Sequence, residues 1–449
     1  GQFKQRNGMI LGWHSCMLAR QTRFGRLRAA RWSTARPPRF GCSLSGRGLA
    51  AAVSTHDALQ SQEIGAKLLC GPWFKHININ ESAAVAAAAT PSHSPLCPLE
   101  LHEQVAMHPT ERPVTAAKAE DIISSLEAML DNLQSPVLDI PVPGSGQDPK
   151  VIVVGDTHGQ LADVLHIFHT HGPPSEYNVY IFNGDIADRG RFAVEIWLLI
   201  AAYKLKHPTS IHVLRGNHEN EQMNARSFKA GGGFEKECLQ KYGAGVREAF
   251  RRLFKLLPLF GVVAEEVFVV HGGLFRTASA SLECLRNMPK KSWRRSFPEP
   301  RRYKNWSEDE QIIFDAQWAD PHEGIGIVPS VRGIPATMFG ADVTERFLDD
   351  AGLSLCIRSH RNPQNGRGFE LQHNCRLLTV FSASDYGGMV GNRGAVALLR
   401  PSSPCTSQMR TASSPPLRNL KLSVVEHDLL GSGPKAQSPM DEDGGPHGS

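Results

Sequence analysis

Three polar sequences, each set at the end of an apolar run, constrain this chain more than any other feature in it. They are Val151-Ile-Val-Val-Gly-Asp-Thr-His-Gly159, Tyr180-Ile-Phe-Asn-Gly-Asp-Ile-Ala-Asp-Arg-Gly190 and Ile211-His-Val-Leu-Arg-Gly-Asn-His-Glu219. Each apolar run has the length and β-branched content of a strand, and each turns at a glycine with Asp, Asn or His close behind it. Between them lie helical stretches: Leu161, Val164, Leu165 and Phe168 share one side of a helix near 159–170, and another helix covers about 191–206. The succession β-α-β-α-β predicts parallel strands with right-handed crossovers. Polar groups are then delivered together at the carboxyl ends of neighbouring strands, where open α/β sheets hold their sites.

Further strands are expected at 267–270, 353–357, 376–382 and 394–399, after a longer helical region at about 234–257 that stops at Pro258. The first delivers His271-Gly272-Gly273, the second Arg358-Ser359-His360 and the third Ser384-Asp385-Tyr386. Asp156, His158, Asp185, Asn217, His271 and His360 are therefore candidate metal ligands. Carboxylate, amide oxygen and imidazole suit one or two first-row divalent cations better than calcium or a thiolate zinc site. Asp185, on the middle strand of the three, is the candidate bridging carboxylate. Two ions roughly 3.5–4 Å apart share a water, acidify it and aim it at phosphorus. Arg189 and Arg215 lie near the same edge, and the guanidinium fork suits phosphate oxygens. A lone Gly-Asp turn or a lone histidine is usually structural; the convergence of several independent motifs is what points to a dimetal site.

Composition narrows the class. The nine cysteines are odd in number, scattered and never spaced Cys-x-x-Cys, which argues against a disulfide framework or structural zinc and fits a reducing compartment. The net charge of +5 does not by itself imply nucleic acid, and no apolar stretch is long enough to span a bilayer.

The flanks divide as follows. Residues 1–106 read as a disordered or leader segment. Residues 1–56 hold no Asp or Glu but many arginines, the composition of a transit peptide or of a mis-extended gene model, and Met107 is a candidate start. Residues 51–106, rich in Ala, Ser and Pro, read as linker. Residues 107–150 form an N-terminal helix and a linker, the helix running from Thr115 to Leu133 with Ile122, Ile123, Leu126, Met129 and Leu130 on one side. Residues 151–400 form the catalytic domain. A basic segment at 286–311, with Trp293 and Trp306, reads as a surface loop or short helices, either a solvated face or a docking surface for acidic partners. Residues 401–449 read as a mostly disordered tail with one strand-like run, Leu420 to Val425.

These residues resemble the metallophosphoesterase superfamily, and within it the phosphoprotein phosphatase family of serine/threonine phosphatases. The matching motifs are Gly155-Asp-Thr-His-Gly-Gln160, Gly184-Asp-Ile-Ala-Asp-Arg-Gly190, Arg215-Gly-Asn-His-Glu219, His271-Gly-Gly273, Arg332-Gly333, Ser359-His360 and Phe381-Ser-Ala-Ser-Asp-Tyr386. They run in unbroken order over about 115–400, in wording similar to the protein phosphatase 5 branch; the tetratricopeptide repeat pattern of that branch is not seen upstream. The resemblance implies an α/β metallophosphoesterase fold, a central β-sandwich of mixed sheets flanked by helices, with a dimetal site at one edge. It implies two divalent ions (manganese, iron or zinc), the first held by Asp156, His158 and the bridging Asp185, the second completed by Asn217, His271 and His360. It also implies that Arg189 and Arg332 clamp the substrate phosphate with help from Asn217. His218, oriented by Asp188, protonates the leaving oxygen, and Tyr386 lines the groove. A metal-bridging hydroxide attacks phosphoserine or phosphothreonine in line. Phosphoprotein substrates, regulatory subunits and a cytoplasmic or nuclear location follow as expectations, with an organelle as the alternative from the Arg-rich start.

Three departures from the family pattern stand out. Ser384-Asp385-Tyr386 replaces Pro-Asn-Tyr, so Asp385 is expected to weaken phosphate affinity or alter groove selectivity. Arg361 follows His360 where relatives carry Glu or Gln, and the 286–311 segment is longer. Two competing readings use the same residues: a hydrolase of small phosphoesters or dinucleoside polyphosphates, and a weakly active phosphoprotein-binding scaffold. The late loop, with Gly391-Asn-Arg-Gly394 after it, favours the protein phosphatase over the first, and retention of every ligand and of His218 argues against the second.

Overall fold

The protein is described by a computed structural model covering residues 97–144, 146, 148–298, 300–402 and 417–428. Its strands, in chain order, begin with β1 (Val137–Ile140), β2 (Lys150–Val154), β3 (Asn178–Phe182), β4 (Ile211–Val213), β5 (Phe260–Val263), β6 (Val267–Val270) and β7 (Asp320–Pro321). They continue with β8 (Ile327–Pro329), β9 (Thr337–Phe339), β10 (Leu355–Arg358), β11 (Phe369–Gln372), β12 (Leu377–Val380), β13 (Gly394–Pro401) and β14 (Leu420–His427). One sheet has the order β14-β13-β2-β3-β4, a second β1-β5-β6-β10-β12-β11, and a small third β7-β9-β8. As the β-α-β-α-β pattern predicts, β2, β3 and β4 pair in parallel, while β13 closes against β2 antiparallel.

Strand alternation explains why the two large sheets stack. Val151, Val153, Val179 and Ile181 from one sheet meet Val267, Val269, Leu355, Ile357, Leu378 and Val380 from the other in a single apolar layer. The alternate positions Ile152, Val154, Tyr180 and Phe182 face outward onto helices. On the far sheet Phe260, Val262, Phe268 and Cys356 do the same. Strands buried on both faces need near-continuous apolar sequence, which is what the runs before each motif supply. The result is the β-sandwich of mixed sheets flanked by helices.

On the β2–β4 side the cover is made by helices Pro98–Met107, Ala116–Asp131, Leu161–His171, Ala193–Lys206 and Ala244–Leu256. The Thr115 side chain caps the second of these by accepting from the Lys118 amide. The first corrects the reading of residues up to 106 as linker: Leu101, Val105 and Ala106 are buried in the core and Pro98 opens the helix. A ten-residue helix led by proline carries too few apolar positions to show a period in sequence, although proline suits the first helical turn. The helical region at 234–257 is two helices, Phe234–Lys241 and Ala244–Leu256, broken where Gly243 takes φ +88°.

Two further differences follow from pairing that sequence does not display. Strand β1, which lies in the stretch read as linker, pairs in parallel with β5, itself unforeseen. The run at 420–425 is a full edge strand, antiparallel to β13 along its whole length. The 286–311 segment takes the form of short helices, one of its two expected readings, over Lys290–Trp293 and Pro300–Asn305, with Trp293 wholly buried and Arg294 donating to the carbonyls of Asp131 and Leu133 at the end of the second helix. Residues 1–96 and 429–449, with their leader and tail readings, lie outside the described residues.

Candidate metal centre

Both large sheets send strand ends to one edge. Asp156 follows β2, Asp185 follows β3, Asn217 follows β4, His271 follows β6 and His360 follows β10. The turns that carry these groups are strained: His158, Asp185, Asp188, Arg189 and His360 have φ of 43°, 52°, 69°, 67° and 70°. Non-glycine residues persist in that region only where the surroundings over-determine them. Here the Thr157 and His158 amides both donate to the Asp185 carbonyl (3.1 and 2.9 Å), locking the first two loops together. Glycine is required at 216, because a Cβ there would lie 2.3 Å from Asp185 Oδ1.

Glu219 completes the lock. Its buried carboxylate accepts from the amides of Asp185 (2.7 Å), Ile186 (3.0 Å), Ala187 (3.1 Å) and Gly216 (3.0 Å), so one side chain staples the second motif loop to the third. Nothing in the sequence separated Glu219 from its neighbours except its place at the end of the third motif. Asn183 is a second such residue. Its Nδ2 donates to the Val270 carbonyl and to Ser359 Oγ, and its carbonyl partners His271 Nδ1 at 2.7 Å.

The ligand-type atoms converge as two compact triads, His158/Asp185/His218 and Asp185/His271/His360, the atoms of each lying within 4.8 Å of one another. Asp185 belongs to both. In His158 and His271 the second nitrogen is already engaged: His158 Nδ1 meets the Ala187 carbonyl (2.9 Å) and His271 Nδ1 that of Asn183. Such outer partners fix which nitrogen faces the centre. Asn217 Oδ1 lies 3.0 Å from His271 Nε2. Asp156 stands slightly apart, its Oδ2 3.9 Å from His158 Nε2 and its Oδ1 accepting the His360 amide at 2.9 Å. His218 takes the third corner of the first triad, but its Nδ1 bonds Asp188 Oδ2 at 2.8 Å, so only Nε2 faces the edge.

The donor set fits divalent cations on its own chemistry. Asp156 and Asp185 are both about 1% exposed. Burial, then the charge of Asp185, pushes Asp156 up to about 7. Burial also opposes the Asp185 charge, but His271 and His218 outweigh it and hold that carboxyl well below its usual range. Burial likewise opposes a charged His271, yet Asp185 raises it to about 9. Crowded negative charge drawing protons onto its neighbours is what a bound dication would relieve. His360, a member of the second triad, has a buried Nε2 with no hydrogen-bond partner.

Around this edge stand the remaining candidates. Asp188 is pinned from three sides: His218, Asn224 Nδ2 (2.9 Å) and the Phe234 amide (2.9 Å). Arg189 is exposed and lies over the Tyr386 ring, 5.7 Å from its centroid, and that ring is 5.4 Å from the ring of His158. Arg332 donates to Asp320 Oδ2 (2.5 Å) and to the His360 carbonyl (3.3 Å), which holds it beside His360. Arg358, unremarked in sequence beyond its place before His360, is wholly buried and ties the carbonyls of Gly272 and Ala319 to Asp320.

One sequence expectation is corrected here. Arg215 does not turn toward phosphate; its guanidinium donates to the carbonyls of Trp293 (2.8 Å) and Arg295 (3.1 Å), bracing the 286–311 segment from below. Asp385 Oδ1 accepts the Gly391 amide (2.9 Å) within its own loop. Arg361 lies in the Asp320 neighbourhood: burial opposes that carboxylate's charge, and Arg332, Arg358 and Arg361 hold it down.

The calcineurin-like phosphoesterase family signature matches residues 149–362. A solved serine/threonine phosphatase of Saccharomyces cerevisiae, described as similar to human phosphatase PP5, aligns with 71% of this chain and 92% of its own at 31% identity and a TM-score of 0.60. The chain belongs to the serine/threonine protein phosphatase family. Among curated members, the serine/threonine-protein phosphatase T of Schizosaccharomyces pombe is 39% identical over 278 residues, 62% of this chain and 54% of that protein. The serine/threonine-protein phosphatase 5 of Solanum lycopersicum is 40% identical over 277 residues, 62% of this chain and 45% of that protein. The chain thus spans about half the length of the curated phosphatases it matches.

Proposed function

We propose that this phosphatase-family chain is a metal-dependent phosphoserine/phosphothreonine protein phosphatase. The observation that carries the reading is Asp185: it is shared by two triads of ligand-type atoms, with the His218–Asp188 pair alongside. Asp156, His158 and Asp185 would hold one ion, and Asp185, Asn217, His271 and His360 the other. The nitrogen and oxygen donors suit manganese, iron or zinc. When bound, two such ions neutralise phosphate charge and make a water acidic enough to be a nucleophile at neutral pH.

The chain's own residues do the rest. Arg189 and Arg332 hold phosphate oxygens, and the Asp320 pair fixes Arg332 for that task. As the phosphorus–oxygen bond to the serine or threonine breaks, the leaving oxygen gains charge and needs a proton. His218 Nε2 donates it, because Asp188 holds Nδ1 and keeps the other nitrogen aimed at the edge. Asn224, bonded to both Asp188 and the His218 carbonyl, keeps that pair in register. Tyr386, stacked near His158 and under Arg189, walls the phosphate site.

Cys97, Cys238, Cys284 and Cys356 are free thiols, which supports a reducing compartment such as cytoplasm or nucleus, and no described helix is long and apolar enough to cross a membrane. The test is hydrolysis of a phosphothreonine peptide with manganese and after chelation. Manganese-dependent release supports the reading; release unaffected by chelation, or none with metal demonstrably bound, rejects it.

A further inference from the structure

The two arginines assigned to substrate phosphate are held in different ways. Arg332 is fixed through its own side chain, by Asp320 and the His360 carbonyl. The Arg189 guanidinium has no hydrogen bond or ion pair to the protein among the described residues, and only the Tyr386 ring lies beneath it, 5.7 Å away. Its place is therefore decided by the backbone that carries it. That backbone is strained, with φ of 69° at Asp188 and 67° at Arg189, a conformation that lasts only where the surroundings impose it.

Part of the restraint comes from the metal loops. The Phe192 amide donates to the Gly159 carbonyl (3.3 Å), and a Cβ at Gly190 would stand 2.2 Å from the His158 carbonyl oxygen. On another side the Arg189 amide donates to the Gly232 carbonyl (3.3 Å).

The rest comes from a buried ion cluster that the chemistry above does not use. Lys241 ends the helix Phe234–Lys241, and its ammonium meets Glu195 Oε2 (2.6 Å), Glu237 Oε1 (3.0 Å) and the Arg191 carbonyl (2.5 Å). Three donors meet three acceptors, drawn from two helices and from the turn itself. Glu237 Oε1 also accepts the Val194 amide (3.0 Å), where helix Ala193–Lys206 begins, and the ammonium lies 5.1 Å from the centre of the Phe192 ring. Glu195 and Glu237 are both buried. Burial pushes both carboxyls up, Glu237 to about 7, and the Lys241 charge opposes that rise. At its other end the same helix returns to the site, where the Phe234 amide donates to Asp188 Oδ1 (2.9 Å). One helix thus grips the turn twice, at Asp188 through its first residue and at Arg191 through its last. A cluster that served only to join helices would not place one of its three donors on a carbonyl two residues from Arg189.

We propose that Lys241 is a positioning residue for the phosphate clamp: by joining Glu195, Glu237 and the Arg191 carbonyl it fixes the 188–192 turn, and with it the Arg189 guanidinium. The role of Arg189 rests on the phosphatase reading; the grip of Lys241 on the turn is independent of it.

The test is a double-mutant cycle in the full chain loaded with manganese. It compares the unmodified protein, Lys241→Met, Arg189→Ala and the two changes together on a phosphothreonine peptide. Lys241→Met is expected to fold, because the two carboxyls left behind can take up a proton between them. Its expected effect is a KM about tenfold higher. In the Arg189→Ala background the same change adds nothing, since the group it positions is gone. Lost stability alone would lower the apparent kcat through fewer folded molecules and leave KM where it was. An unchanged KM, or an equal rise with and without Arg189, overturns the proposal and leaves the phosphatase reading standing. Amide hydrogen exchange judges the grip without any turnover. Faster exchange at residues 189–194 in Lys241→Met, with β2 and β3 protected as before, sustains it; unchanged exchange refutes it, whether or not the peptide is hydrolysed. If Lys241→Met does not fold, Glu195→Gln, which keeps the shape of the cluster and removes one charge, goes through the same cycle. The outcomes are read in the same way, with a KM rise of about two- to threefold.

Discussion

Asp188 shows how much of this site's character belongs to single side chains. It touches no ligand candidate, yet it fixes His218 through Nδ1 at 2.8 Å and is itself pinned by Asn224 and the Phe234 amide. Asp188→Asn keeps the shape but offers a donor where the imidazole N–H needs an acceptor, so the wrong tautomer is favoured. The expected outcome is a kcat lower by about 10²–10⁴-fold, with two ions still bound per chain by elemental analysis. A variant that lost metal instead would make Asp188 a ligand-shell residue and not an orienting one. Glu219 is the structural counterpart. Glu219→Ala leaves four buried amides without their acceptor, and each such orphan costs about 1–3 kcal/mol. Thermal melting should show a loss of at least about 3 kcal/mol, together with weakened metal binding, since the amides of both loops that carry Asp185 and Asn217 are released.

At the scale of elements, the helix Pro98–Met107 makes the sharpest prediction. It docks through Leu101, Val105 and His102, and His102 Nδ1 shares a hydrogen bond of 3.2 Å with the Tyr203 hydroxyl on helix Ala193–Lys206. Burial, with a smaller contribution from His169, lowers His102 to about 4. The unfolded chain therefore takes up a proton near pH 6.5 that the folded chain refuses until about pH 4. Stability from this group is complete above pH 6.5 and falls as pH drops toward 4, by up to about 1.4 kcal/mol per pH unit. Urea melts between pH 7.5 and 5 should show His102→Leu less acid-sensitive than the unmodified protein; an identical slope would mean that the helix is not docked as described. The loop at Ser384–Tyr386 is held in a similar way by the buried Asp163, which accepts from the Ser384 amide and hydroxyl (3.1 and 2.7 Å) and from Gln160 (2.7 Å), and meets His427 on β14. Here the change from the family's Pro-Asn-Tyr is compensated: serine supplies two donors that proline lacks. Ser384→Ala should cost about 1 kcal/mol in thermal melts. It should also raise KM more than it lowers kcat, because it loosens the Tyr386 wall.

For the whole molecule, what could be read in sequence and what could not separate along one line. Each ligand candidate was legible because chemistry demands particular residue types behind particular strands, and Asp156, Asp185, Asn217, His271 and His360 all stand at strand ends. The parallel core was legible because buried strands are written as apolar runs. Long-range pairing was not. Strand β1 is four residues long and gains its meaning only from β5, more than a hundred residues away, and β14 only from β13. Glu219, Asn183 and Arg358 serve backbone amides and carbonyls, which no side-chain pattern records. Arg215 was misread for the same reason, since a charged side chain near a site can as readily brace a loop as face a substrate.

The account turns on Asp185 as the carboxylate common to two ions. The most direct test is to measure metal stoichiometry and phosphothreonine-peptide hydrolysis together, for the unmodified chain and for Asp185→Asn, each loaded with manganese. The account predicts two ions per chain and metal-dependent hydrolysis in the first, with hydrolysis abolished and fewer than two ions bound in the second. An Asp185→Asn chain that binds two ions and hydrolyses the peptide at the normal rate would contradict it.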